Sequence, residues 1–164
     1  IGFVYSGAYD IAADAPHAAV VSRLIETVRD RSIAAHAKDI TVPKLDDPAL
    51  VTEGAEHYAE MCTGCHLAPG MQDTEIRKGL YPQPPNLAVD GMDDPAEAFW
   101  VIKHGIKMTA MPAWGATHDD EKIWGMVAFL EKLPKLSPAE YARLTASAAA
   151  DEHEHAHEHQ HDEK

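Results

Sequence analysis

Apolar residues recur at helical spacing near the start of the chain. Val20, Val21, Leu24, Ile25 and Val28 form one stripe, with Arg23, Arg29 and Arg31 mostly off it. The spacing predicts a first helix over 16–38, followed by a linker through Thr41-Val42-Pro43. Three dipeptides then mark helix starts: Asp47-Pro48, Asp94-Pro95 and Ser137-Pro138. Proline suits the first helical turn, and an Asp or Ser before it accepts from the open amides. Glu97 and Glu140 complete capping boxes in the last two. Further helices are therefore expected from Pro48 to a cysteine pair, over 95–104 with Gly105 as the stop, over 119–133 ended by Pro134, and over 138–149. A proline-rich loop spans Tyr81 to Asn86, no segment alternates like a strand, and no repeat is present. The predicted class is all-α. The stripe of the first helix is expected to pack on the rest of the protein or on a second copy, the usual fate of such stripes, with docking to a membrane partner as the alternative.

Charge and composition narrow the picture. The chain has 164 residues, a net charge of −13 and 45% apolar residues, but only 7% aromatic ones. A core this poor in aromatic rings leaves a large share of packing to any buried planar cofactor. The last fourteen residues, Asp151 to Lys164, hold six acids and one lysine. The remainder is still acidic, which argues against nucleic-acid binding and against loose electrostatic adhesion to anionic lipid. Ile1 to Tyr5 are apolar but too few to cross a bilayer. They read either as the outer end of a removed signal-anchor helix or as an apolar terminus packed on the domain.

The chemistry concentrates at Cys62-Thr63-Gly64-Cys65-His66. Two thiols separated by two residues, with histidine directly after, form the attachment sequence of a c-type haem. Both sulfurs reach neighbouring vinyl groups from one turn, and His66 is held under the ring as proximal iron ligand. A redox dithiol does not need the trailing histidine, and a zinc site wants a second cysteine pair that this chain lacks. With both cysteines used, no disulfide is expected. The other iron face needs a ligand. Met111 precedes Pro112 and is therefore pushed into an extended loop from which a thioether can reach the metal. Met108 is expected to pack against the haem or the core. His104 and His118 are alternative ligands that read better as solvated residues.

Three segments in order, Cys62 to His66, Pro84-Pro85-Asn86-Leu87 and Met111-Pro112-Ala113-Trp114-Gly115, resemble those of a class I cytochrome c. The resemblance covers about Pro48 to Pro134. It implies a helical domain around one covalently bound haem, with Met111 as sixth ligand and the Pro85 carbonyl accepting the remaining N–H of His66. It also implies a crossing of the first and last core helices, to which Gly54 and Tyr58 match on one side and Val127, Phe129 and Leu130 on the other. Residues 1–43 and everything after Leu136 fall outside it. The expected organisation is an extension with an amphipathic helix at 1–43, a cytochrome c domain at 44–136, a short helix at 137–150 and a disordered His-rich tail at 151–164.

In the tail, His153, His155, His157, His159 and His161 alternate with acidic or small residues, a candidate site for copper, nickel or zinc. The leading functional expectation is a one-electron carrier with a protein donor and a protein acceptor. The resemblance implies a location outside the bacterial cytoplasm, in the periplasm, with tethering through a segment before Ile1 as an open alternative. A haem enzyme or gas sensor would need an open sixth position, against which the Met111 loop argues. A metal-handling cytochrome, in which tail-bound metal exchanges electrons with the haem, is the second reading. Lys78, Lys103 and Lys107 read either as a basic patch near the haem edge or as scattered surface charges.

Overall fold

The computed structural model describes residues 1–146. Its α-helices are α1 (Gly2–Tyr5), α2 (Ala19–Ala37), α3 (Pro48–Met61), α4 (Thr63–His66), α5 (Glu75–Lys78), α6 (Leu87–Asp90), α7 (Pro95–His104) and α8 (Asp120–Leu130). A last helix, α9, occupies 138–146 of the described residues. Short 3-10 turns lie at Trp114–Ala116 and Leu133–Lys135. There is no strand among the described residues, so the all-α expectation holds.

The caps act where the sequence placed them. The Asp47 carboxylate accepts from Ala49 N at 2.9 Å, and that of Asp94 accepts from Ala96 N and Glu97 N at 2.7 and 3.0 Å. Ser137 and Glu140 bond reciprocally, Oγ accepting from Glu140 N at 3.2 Å and the carboxylate from Ser137 N at 2.8 Å. α7 stops at Gly105, whose φ of +64° few other residues tolerate.

The core forms where α3 crosses α8. Gly54 and Gly125 meet there, and a Cβ on Gly54 would run into the Gly125 carbonyl. Tyr58 on α3 packs its ring 5.3 Å from that of Phe129 on α8. Ile123, Met126, Val127, Ala128 and Phe129 are almost fully buried around this crossing. α7 leans on α8 through the stacked rings of Phe99 and Trp124, 4.2 Å apart.

α2 departs from expectation. Its apolar stripe does not pack on the domain: Val20, Leu24, Ile25 and Val28 are exposed. The helix instead docks through Ile33 and Ala37, with the His36 ring 5.3 Å from that of Trp100 on α7. Periodicity located the apolar arc, but the opposite arc of the same helix makes the contact. Upstream, His17 N donates to the Tyr81 hydroxyl at 3.2 Å, and Ser22 Oγ lies 3.3 Å from the same oxygen. The extension is thereby joined to the proline loop.

Candidate functional site

The cysteine pair lies where α3 ends. Cys62 is both the C-cap of α3 and the N-cap of α4, so a new helical turn starts one residue after α3 ends. The Tyr58 hydroxyl, buried at the helix crossing, donates to the Leu67 carbonyl at 2.6 Å. Thr63 Oγ1 donates back to Ala59 O at 2.9 Å. These bonds fix the short helix that carries Cys65 and His66 to the core.

Burial, and secondarily the Cys65 thiol, push the Cys62 thiol up to about 12. A redox dithiol or a zinc ligand needs ready access to thiolate, which this environment opposes. Addition of a thiol to a vinyl group leaves a neutral thioether, which suits this half-buried position.

His66 Nδ1 stands 3.0 Å from the Pro85 carbonyl, as donor to acceptor. That bond fixes the tautomer and leaves Nε2 with its lone pair. Burial is the largest influence on its pKa and lowers it; the Pro85 bond opposes this, and the Arg77 guanidinium adds to the lowering. The ring is therefore held neutral, the form that binds a metal.

The proline loop has its own support. Arg77 is 9% exposed, pairs with the Asp73 carboxylate through Nη1 and donates from Nη2 to Pro84 O at 2.9 Å. Thr74 caps the helix that carries it, accepting from Arg77 N. The Arg77 Nε is buried with no hydrogen-bond partner. An orphan donor here, next to the loop that holds His66, matches the carboxylate side chains that a haem carries at its edge. The donor set of two thiols, a neutral imidazole and this guanidinium fits a haem c.

Met111 lies in a loop bound closely to the end of α7. Its carbonyl accepts from Ile106 N at 3.2 Å, and its N–H donates to Thr109 Oγ1 at 3.1 Å. Gly105 makes this possible: a Cβ there would stand 2.7 Å from Met111 O. Gly115 repeats the device, since its Cβ would come 2.8 Å from Lys103 O. The Met111 side chain is half-buried against the core.

Several expectations need correction. Met108 does not pack on the core; it sits in a left-handed turn, φ +59°, and the rest of the protein leaves it 98% exposed. His118 is not solvated but half-buried, its ring 5.2 Å from that of His57 and 5.6 Å from that of Trp114. His104, by contrast, is exposed as the sequence suggests, with its ring 5.1 Å from that of Trp100. Lys103 is held by Asp120 at 2.6 Å rather than standing as one member of a free basic patch.

The sequence reading did not single out Arg77 or His57. Arg77 had a faint signal, an Asp four residues before it across a capping threonine. His57 had none, because its ring partner comes from a distant loop. His153, His155, His157, His159 and His161 lie outside the described residues. Among the described residues no group of three or more His, Cys, Asp or Glu side chains could hold a metal ion, and no helix is long and apolar enough to cross a membrane.

Residues 49–130, half of the chain, match the family model described as cytochrome C oxidase, cbb3-type, subunit III. That stretch contains both cysteines, His66, Pro85 and Met111. No curated protein and no solved structure gave a significant match.

Proposed function

Because the chain belongs to the cytochrome c oxidase, cbb3-type, subunit III family and is therefore a c-type cytochrome with a covalently bound haem c, we propose that it is a periplasmic one-electron carrier whose iron is held by His66 and Met111. The haem would supply a centre that accepts and releases a single electron. The observation that carries the ligand reading is the His66–Pro85 bond: with Nδ1 committed at 3.0 Å, only Nε2 is left to face a metal.

The roles divide as follows. Cys62 and Cys65 anchor the group at the start of α4. Pro85 orients the imidazole, and Arg77 fixes Pro84 beside it while presenting Nε to a carboxylate. Met111 supplies the thioether from a loop seated closely on the end of α7 through Gly105 and Gly115, an arrangement that limits movement when the charge on the iron changes. Sulfur ligation and apolar surroundings both favour the reduced state. A periplasmic location is supported by the attachment chemistry, which normally takes place outside the bacterial cytoplasm. The donor and acceptor are redox proteins, the usual companions of such domains.

The test compares oxidised spectra and reduction potentials of the wild-type holoprotein, Met111→Ala and Met108→Ala. The wild type should show the sulfur-to-iron charge-transfer band, Met111→Ala should lose it with a lower potential, and Met108→Ala should match the wild type. A band that survives in Met111→Ala would overturn the ligand assignment. Rapid carbon monoxide binding by the reduced wild type would favour an open site instead.

A further inference from the structure

The outer face of α2 has no use in the electron-carrier reading. Val20 is 76% exposed, Leu24 65%, Ile25 51% and Val28 62%, while the domain grips the helix elsewhere. Most of the large apolar side chains exposed among the described residues precede residue 29. At about 100° per residue, these four and Val21 sweep an arc of roughly 140°. Arg31 projects within that arc, Arg23 and Arg29 lie beyond its two edges, and Glu26 lies opposite. Arg29 is held by Asp30 at 2.7 Å.

Charge separates the two parts of the chain. The first 38 residues carry four basic and four acidic side chains, so the whole −13 lies beyond them. The extension carries no net charge, so an anionic surface would not repel it. A second copy of the chain suits the face less well. Glu26 and Asp30, the acids of α2, both point away from the arc, so self-pairing would bury Arg31 without a partner. Phospholipid offers hydrocarbon to the arc and phosphate to the guanidiniums.

We propose that this face of α2 rests on a phospholipid bilayer surface, with Val20, Leu24, Ile25 and Val28 at the acyl boundary and Arg23 and Arg31 on lipid phosphates. The helix lies in the plane of the interface and does not cross it. Binding draws mainly on apolar contact, so zwitterionic lipid suffices, and anionic lipid strengthens it only modestly against the repulsion of the acidic domain.

The test is co-sedimentation of the full-chain holoprotein with phosphatidylcholine vesicles and with vesicles containing phosphatidylglycerol. The wild type should sediment with both. The double variant Leu24→Asp/Val28→Asp should bind at least about tenfold more weakly. Arg31→Glu should bind severalfold more weakly. Val89→Asp, at a position 73% exposed and outside the face, should bind as the wild type does. Absorbance and unfolding midpoints confirm that each variant is folded. The proposal is overturned if the wild type stays in the supernatant with both lipids, or if the double variant binds equally well. A dimer that the double variant abolishes, in protein that ignores vesicles, would assign the face to a second copy.

Discussion

The Tyr58 hydroxyl donates to the Leu67 carbonyl across 2.6 Å, tying the last turn of α3 to the residue that follows the histidine ligand candidate. Leu67 has φ +63°, so its backbone turns sharply there and its carbonyl has little freedom to find another donor. Tyr58→Phe keeps the ring but orphans that carbonyl. The expected loss is about 1–2 kcal/mol in urea unfolding of the holoprotein, with the oxidised spectrum preserved. An unchanged unfolding midpoint would show that the bond adds nothing.

Gly105→Ala meets two obstacles at once. The φ of +64° disfavours a side chain, and a Cβ would press on the Met111–Ala113 backbone. A loss of roughly 2 kcal/mol or more is expected. Unlike Tyr58→Phe, it should also weaken the sulfur-to-iron band, because the Met111 loop must move. Loss of stability with a fully retained band would separate the glycine from the ligand.

Gly54→Ala acts at the helix crossing. The added methyl would collide with the Gly125 carbonyl, a backbone atom that cannot step aside as a side-chain end can. α3 and α8 must then separate, and overpacking of this kind costs about 1–3 kcal/mol or more. Calorimetry should show a lower melting temperature than for an alanine placed at the open Gly64.

A pH effect follows from His57. Burial lowers its pKa most, the His118 ring lowers it further together with Lys122, and Glu53 and Glu60 oppose this. Nε2 of His57 has no hydrogen-bond partner. The folded chain therefore binds this proton less readily than the unfolded chain, whose histidine titrates near 6.5. The resulting stability is complete above that pH and is lost as pH falls through it toward the folded value. Unfolding midpoints measured from pH 7.5 down to 5 should decline, and His57→Gln should decline less steeply. Parallel curves for the two proteins would remove His57 from the effect.

Much of this architecture is legible in local chemistry. Asp47, Asp94, Ser137 and Gly105 mark helix ends through bonds made within a few residues, so their meaning does not depend on distant parts of the chain. The cysteine–histidine motif is equally local. Contacts between remote segments were not legible. The His57–His118 ring pair joins α3 to the loop before α8, and Arg77 reaches Pro84 only because the chain folds back on itself. The α2 stripe misled for a related reason. Period alone identifies an apolar arc but does not say which arc meets the domain, and here Ile33 and Ala37 make that contact.

The phenol of Tyr81 touches the backbone of His17 and the hydroxyl of Ser22, four residues before the carbonyl that receives the His66 proton. The start of α2 and the proximal loop consequently share one fastening. Whatever surface holds that helix also sets the compass bearing of the domain, so electrons would arrive and depart along a fixed direction rather than through a freely tumbling sphere.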